Sequence, residues 1–298
     1  MQYKRFSLII KIDKIDTIDD ILSYYWQILD CKDNKIEIDL SEAKFIRTNC
    51  VCILGLIIEQ KKKSDCEVSI IEPKLAKVRK PLVAIGFLTD KYKQNNVEMI
   101  CYKNIKLDEK NNFYLNFETY FKQKARKCLS NVSNQLFEIL TQKILELFSN
   151  AFRHSESEVG IFCSGHFFPK NKKFSFVIVD GGVGIKRNVT EYLSQLTNGQ
   201  IMRFFRKKIK ISGVQAIRWA IKSGNSTTGI GGLGLDLIRE FIIKNEGNLE
   251  IISSDARYSI NNGKESYSKL DGKFIGTLIA MNIKVDEYRF FKLKGEIC

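Results

Sequence analysis

The sequence predicts an α+β protein made of two units. Over the first hundred residues, short apolar-polar alternations typical of strands take turns with helical patterns. The second half contains one long amphipathic helical pattern, followed by strand patterns and glycine-rich turns. A chain of 298 residues is also longer than most single cores grow. We therefore expect a first domain over 1–95, a polar connecting segment over 96–130 and a second domain over 131–298.

The first domain is expected to be an α/β unit. The predicted strands are Ser7–Ile12, Lys35–Leu40 and Glu67–Glu72, and the predicted helices are Thr17–Leu29, Cys50–Lys62 and Leu75–Leu88. Strands that alternate with helices predict a small sheet that helices cover on one side.

Composition limits the location and the class of function. No stretch approaches the roughly 20 apolar residues that span a bilayer. The first residues alternate polar and apolar side chains and meet acids early, which is typical of a strand rather than a signal peptide. Eight cysteines without a CxxC pair indicate reduced thiols and no zinc site. We expect a soluble, cytoplasmic protein without a membrane partner.

The net charge of +14 favours partners that carry phosphate. Nucleic acid is one such partner, and the segment RFFRKKIK (203–210) interleaves basic and aromatic residues as nucleic-acid sites do. A solvated helix face with a buried phenylalanine pair is the favoured interpretation of that segment. The high lysine, isoleucine and asparagine content can also come from AT-rich coding sequence alone.

The segment ELFSNAFRHS is the first of three candidate site segments. It lies in a predicted helix over Ser133–Phe152. Helical spacing places Glu146, Asn150, Arg153 and His154 on one stripe. The opposite face is apolar and consists of Leu136, Leu140, Leu147 and Ala151. A carboxylate, an amide, a cation and an imidazole together can hold magnesium, phosphate and water, although a solvated charged face is the simpler alternative.

The segment FSFVIVDGGVGI is the second. Alternation predicts a strand in which Asp180 points to the same side as Phe174, Phe176 and Ile178. A buried carboxylate requires a hydrogen-bond donor, because leaving it unpaired is costly. Gly181, Gly182 and Gly184 then allow a tight turn. An ordinary Asp-Gly turn is the alternative interpretation.

The segment TTGIGGLGLDLIREFI is the third. Gly229, Gly231, Gly232 and Gly234 form a loop without side chains, and a helix that begins near Leu235 follows it. Backbone amides at such a helix start can bind a polyphosphate. The spacing matches neither a P-loop nor a dinucleotide-binding fingerprint.

The order of these segments resembles the Bergerat ATP-binding domain of the GHKL superfamily, which includes gyrase-like ATPases, histidine kinases and heat-shock chaperones. The resemblance implies an α/β sandwich in which helices cover one face of a mixed sheet. The resemblance implies Mg-ATP binding, with Asn150 as the magnesium ligand and Asp180 as the acceptor for the adenine amine. It also implies supporting roles for the remaining candidates, which are Arg153, His154, Gly182, Gly184, Gly229, Gly231, Gly232, Gly234, Leu235 and Thr277.

Glu146 indicates which branch of the superfamily the chain resembles. Gyrase-type ATPases and the anti-sigma serine kinases have a glutamate four residues before the magnesium ligand, where it can act as a general base. Neither histidine lies on a dimerising hairpin, since His154 belongs to the site helix and His166 is expected in a connection. Histidine autophosphorylation is therefore not expected, and ATPase, serine/threonine kinase and binding-only activities remain open.

The stretch IDLSEAKFIRTNCVCILGLI (38–57) resembles a STAS-like domain, the fold of anti-anti-sigma factors. In that family a serine accepts phosphate at the position that Asn49 occupies here, and asparagine cannot accept phosphate. Thr48 is one residue away from that position. The resemblance implies a domain that docks a protein partner or regulates the ATPase, as in bacterial partner switching, and a homodimer is possible.

Two functions of the whole chain follow from these resemblances. The leading hypothesis is an ATP-dependent signalling switch, and the alternative is a nucleotide-sensing subunit of a larger assembly such as a defence system.

Overall fold

The protein combines α-helices with two main sheets of different construction. Its structure is a computed structural model that describes residues 7–88, 99–200, 210–222, 235–285 and 288–296. The presence of both helices and sheets confirms the expected α+β class. Within those ranges, no helix is long and apolar enough to cross a membrane.

The N-terminal unit contains a three-stranded parallel sheet with the order β1-β3-β5. Its elements are β1 (Ser7–Lys11), β2 (Lys14–Ile15), α1 (Ile18–Asp30), β3 (Lys35–Asp39), β4 (Phe45–Ile46), α2 (Val51–Lys63), β5 (Glu67–Ile71) and α3 (Ala76–Ala84). The predicted strands and the first two predicted helices are confirmed to within a residue or two. The third helix is shorter than predicted, because it ends before Gly86, which has a positive φ of 86°.

The C-terminal unit contains a five-stranded sheet with the order β6-β7-β8-β10-β9. Its elements are β6 (Met99–Ile105), α4 (Lys110–Cys128), α5 (Asn134–His154), β7 (Ile161–Phe168), β8 (Lys173–Asp180), α6 (Gly184–Gln200), α7 (Gly213–Ala220), α8 (Leu235–Asn245), β9 (Asn248–Asn261) and β10 (Lys264–Lys284). Residues 96–130, predicted as a connecting segment, include strand β6 and helix α4 of this unit.

Two sequence-based expectations about this sheet are wrong. The sheet was expected to be mixed, but all its strand pairs are antiparallel. The reason is that β7 and β8, like β9 and β10, are joined by short turns, in which Lys172, Asn262 and Gly263 have positive φ. His166 lies in β7 opposite Ser175 rather than in a connection.

Helices pack on one face of the five-stranded sheet. Aromatic side chains fill the space between α4, α5 and β8, where the rings of Phe113 and Phe117 stack at 4.4 Å and Phe148 lies 4.8 Å from each. Phe121 contacts Phe176 of β8 edge to face. This core fixes the orientation of α5 relative to the strand that ends at Asp180.

The N-terminal unit covers the opposite face of the same sheet. Helix α2 is buried on all sides over residues 51–58, and it shares one core with Val177, Val179 and Leu278 of the sheet. A helix that is apolar all round is typical of a position between two layers. Helix α2 therefore lies between the parallel sheet of its own unit and the antiparallel sheet of the other.

Polar contacts along this interface connect the two units. The Trp26 indole donates to the carbonyl of Lys273 at 3.0 Å. Arg257 of β9 forms an ion pair with Asp19 at the start of α1. Such links are specific in direction, so they fix the register in which the N-terminal unit lies on the sheet.

Candidate functional site

Asp180 is the buried carboxylate at the end of β8. Its residue is 5% exposed, and its side chain lies on the helix-covered face together with Phe174, Phe176 and Ile178. The predicted direction of this side chain is therefore confirmed. The carboxylate accepts a hydrogen bond from the backbone N–H of Gly182 at 2.9 Å and one from the backbone N–H of Thr277.

The protonation of Asp180 is unusual for an aspartate. Burial raises the pKa of this carboxyl to about 7, and the hydrogen bonds from Gly182 and Thr277 lower it only in part. Within the described ranges, no basic side chain forms an ion pair with Asp180. A buried acid without a cation is suited to accept a hydrogen bond from a ligand, and a perturbed pKa of this kind is typical of functional sites.

The turn after Asp180 requires glycine at two positions. A Cβ on Gly182 would lie 1.7 Å from the backbone oxygen of Ser155, directly after α5. The same oxygen accepts a hydrogen bond from the N–H of Val183 at 2.7 Å. Gly184 has a φ of 76°, which favours glycine. The turn thus contacts the end of α5 directly, and the first two predicted site segments lie together.

Thr277 lies opposite Asp180 on the neighbouring strand β10. Its hydroxyl is 3.4 Å from that of Ser253, which is buried in β9. The Ser253 hydroxyl also accepts from the N–H of Ile185 at 2.9 Å and donates to the carbonyl of Gly276 at 2.8 Å. Sequence reasoning missed Ser253, because a serine inside a strand carries no motif. It also missed Gly276, although this glycine directly precedes the predicted site residue Thr277 in the segment GTLIA (276–280).

The polar stripe of α5 ends beside this turn. Glu146 pairs with Lys143 on the same helix at 3.0 Å. The Asn150 amide nitrogen is buried without a hydrogen-bond partner among the residues that the structure describes. A buried, unpaired amide costs about 1–3 kcal/mol, which a ligand with an acceptor oxygen would offset. The stripe therefore offers one paired carboxylate and one unsatisfied amide.

Arg153 and His154 occupy the last turn of α5. The Arg153 guanidinium donates to the Ser149 hydroxyl at 2.7 Å and is exposed. Burial, and secondarily the charge of Arg153, lowers the pKa of His154, which favours the neutral imidazole. The carbonyl of His154 accepts from the Asn188 amide at 3.0 Å, so α6 is tied to the same helix end.

Part of the predicted site cannot be placed. Gly229, Gly231, Gly232 and Gly234 lie outside the described residues, as do positions 203–209 of the basic segment. Leu235 is the first residue of α8, and its side chain is buried in the core that covers the helix face of the sheet. Its side chain therefore contributes packing.

The position that resembles a STAS phosphoacceptor lies at the interface of the two units. Thr48, Asn49 and Cys50 form a single 3-10 turn just before α2. Thr48 is 3% exposed, and its hydroxyl is 3.0 Å from Nδ1 of His166 in β7. Burial lowers the pKa of His166 to about 4, so this imidazole is neutral at pH 7.

Similarity to known proteins does not assign the chain to a family. No protein-family model matches it, and no curated protein matches it at a significant level. Within the described ranges, no group of three or more histidine, cysteine, aspartate or glutamate residues could hold a metal ion.

Proposed function

We propose that the C-terminal unit is a Bergerat-type ATP-binding domain and that the N-terminal unit is a STAS-like regulatory domain. The observation that carries this proposal is the Asp180 carboxylate. It is buried and has no cationic partner among the described residues, it accepts two backbone N–H groups, and it is followed by a turn with no side chain at Gly182 or Gly184. A carboxylate with free acceptor capacity beside a turn of glycine backbone suits the exocyclic amine of adenine.

The residues around Asp180 fit an adenine nucleotide with magnesium. Asp180 and Thr277 would hold the base, the amide oxygen of Asn150 would bind the cation, and its unpaired amide nitrogen would donate to a phosphate oxygen. Arg153 is exposed at the end of the same helix, where it can reach phosphate oxygens. Magnesium would supply charge neutralisation of the phosphates.

The nucleotide preference tests the proposal. Guanine has an oxygen where adenine has its amine, so it cannot donate to Asp180. We expect ATP and ADP with magnesium to raise the melting temperature of the protein, because a ligand that binds only the folded state stabilises it. GTP should raise it little. Equal stabilisation by GTP, or none by ATP, would contradict the adenine assignment.

We infer that the unit acts as a nucleotide-dependent signalling switch, and Glu146 decides whether it is an enzyme. A general base contributes typically about 10²- to 10⁴-fold, so Glu146→Gln should bind ATP normally and turn it over at least about a hundredfold more slowly. Single-turnover assays of both proteins, for ATP hydrolysis and for phosphate transfer to serine or threonine, measure this.

The second candidate function is nucleotide sensing without turnover, in a larger assembly. The ion pair between Glu146 and Lys143 favours it, because the carboxylate already has a partner on its own helix. In this case the wild type is nearly inactive, and Glu146→Gln changes nothing. Lys143→Ala is the matched variant, since it frees the carboxylate without changing it.

A protein partner is the proposed ligand of the N-terminal unit, and phosphate transfer to this unit is not expected. The Thr48 hydroxyl is buried and hydrogen-bonded to His166, so it is not accessible to a kinase site. Mass spectrometry after incubation with Mg-ATP should find no phosphate on Thr48 or Ser41.

Two further experiments concern partners. Proteins that co-purify from the native host would identify the protein partner. ATP turnover with and without DNA or RNA would test the weaker nucleic-acid hypothesis.

A further inference from the structure

The N-terminal unit supplies a hydrogen bond that strand β10 lacks. The register between β10 and β9 shifts between Phe274 and Thr277, which is the pattern of a β-bulge. A bulge leaves a backbone group without its ladder partner. Here the N–H of Ile275 donates to the hydroxyl of Tyr25 in α1 at 3.1 Å. Tyr25 is fully buried, and its ring packs 4.9 Å from that of Phe274.

The same bulge shapes the candidate site. Gly276 has a φ of 108°, and a Cβ there would lie 1.9 Å from the backbone oxygen of Asp180. The next residue, Thr277, donates its backbone N–H to the Asp180 carboxylate and lies opposite it in the sheet. A small change at Ile275 would therefore move the two strands that carry Asp180 and Thr277.

Helix α2 approaches the site from the same side. The side chain of Gln60 also hydrogen-bonds the Tyr25 hydroxyl. A Cβ on Gly181 would lie 2.7 Å from Cδ1 of Leu56 and 3.0 Å from Nε2 of Gln60. The turn after Asp180 thus has α5 on one side and the N-terminal unit on the other.

We propose that Tyr25 and Gln60 are positioning residues for the nucleotide site, through which the N-terminal unit sets nucleotide affinity. This inference rests on the proposed ATP-binding function. Tyr25 holds the β10 bulge, and Gln60 joins Tyr25 to the turn at Gly181. Movement of α1 or α2 changes the separation of Asp180 and Thr277, so a protein bound to the N-terminal unit alters ATP binding, and ATP alters binding of that protein by the same factor.

Tyr25→Phe tests the positioning role with a minimal change. It keeps the ring against Phe274 and removes only the hydroxyl that Ile275 and Gln60 use. A single neutral hydrogen bond is worth about 0.5–1.5 kcal/mol net, which corresponds to roughly two- to tenfold in affinity. We expect calorimetric titration with Mg-ATP to show Tyr25→Phe binding about fivefold more weakly than wild type.

Thr48→Val is the matched control. It also removes one buried hydroxyl that contacts the other unit, but its partner His166 pairs with Ser175, five residues before Asp180 on β8. At about 3.4 Å per residue, this contact is roughly 17 Å from the site along the strand. We expect Thr48→Val to lose stability like Tyr25→Phe and to bind ATP like the wild type.

Hydrogen exchange without nucleotide provides a readout that does not depend on ATP. Peptides over 274–277 and 180–184 should exchange faster in Tyr25→Phe than in the wild type or in Thr48→Val. Unchanged exchange in Tyr25→Phe, or the same acceleration in Thr48→Val, would overturn the positioning role. If the wild type binds no ATP, the proposed function is wrong, and the exchange comparison still decides whether Tyr25 holds the turn.

Discussion

Helices α2 and α5 lie on opposite faces of one sheet. They differ in whether the rest of the protein buries their side chains and supplies partners for their polar groups. Helix α2 is apolar over eight consecutive residues and has protein on every side. Helix α5 packs its apolar face on the sheet, but its polar stripe carries an amide without a partner among the described residues. The contrast separates a structural helix from one that borders a ligand site, because natural proteins rarely leave buried polar groups unpaired.

The largest expected effect is at the contact between the Asp180 turn and the end of α5. Gly182→Ala places a Cβ against the backbone oxygen of Ser155, and neither backbone can move away cheaply. We expect a loss of at least about 3 kcal/mol in the free energy of unfolding, measured by urea denaturation. Gly295→Ala is the control for the steric contact, since a Cβ there meets no atom within 4 Å and only the φ of 87° opposes it, at a cost of about 1–2 kcal/mol. Equal losses in the two variants would contradict the close contact.

The next effect concerns α2. Leu56→Ala opens a cavity between this helix and the sheet, which should cost about 2–5 kcal/mol in the free energy of unfolding. Leu75→Ala removes the same atoms from an exposed leucine and should cost within about 0.5 kcal/mol. A small loss in Leu56→Ala would show that the sheet face does not need the N-terminal unit.

The third effect is the pH dependence of stability that Asp180 contributes. Asp180 has a pKa of about 7 in the folded protein and an ordinary value of 3.8, so between these values the folded state holds a proton that the unfolded state has lost. The contribution of Asp180 to stability therefore decreases as the pH rises from about 4 to 7 and then levels. His166, whose pKa is lowered to about 4, contributes the opposite trend up to about pH 6.5. The difference in the free energy of unfolding between wild type and Asp180→Asn, measured by urea denaturation across this range, isolates the Asp180 contribution.

The affinity for ATP should change in the opposite direction, because the amine of adenine requires the ionised carboxylate. The ionised fraction rises about tenfold between pH 6 and 8 for a pKa near 7. We expect calorimetry to show an affinity about tenfold higher at pH 8. Asp180→Asn should lack this dependence. The titrations of His154 and of the ATP phosphates remain in that variant. If Asp180→Asn shows the same pH profile of ATP affinity as the wild type, Asp180 is not the source of the dependence.

The smallest expected loss of stability is at Asn150. Its amide nitrogen is buried without a partner among the described residues, so Asn150→Ala should not lower the free energy of unfolding without nucleotide and should raise it by up to about 1–3 kcal/mol. The same substitution should abolish magnesium-dependent ATP binding. A large loss of stability, or undiminished binding, would remove Asn150 from the site.

Local patterns predicted most elements and the direction of Asp180, because strand alternation is a property of neighbouring residues. The strand β6 was missed because the lysines and asparagines around it dominate the composition of 96–130. Helix α4 in the same segment nevertheless carries Phe113, Phe117 and Phe121 at helical spacing. This signal could have identified the helix from the sequence. The apolar run of α2 predicted a helix, but not the second sheet on top of it.

The contacts that connect the two units could not be predicted, since they join residues far apart in the chain. Tyr25 and Ile275 are separated by 250 positions, and Thr48 and His166 by 118. Neither pair contains a motif, and the bulge that needs the Tyr25 hydroxyl arises only when β9 and β10 pair. The glycine loop of the predicted phosphate site remains a prediction, because it lies outside the described residues.

The position of α2 between two sheets has a consequence for biosynthesis. During translation, residues 51–63 leave the ribosome long before strands β8 and β10, whose apolar side chains cover one side of this helix. At that stage the nascent chain therefore exposes an apolar helix surface, and such surfaces recruit chaperones or cause aggregation. Closure of the interface needs contacts of high sequence separation, which form slowly. Maturation of this protein should therefore be limited by the packing of strands β8 and β10 on this helix.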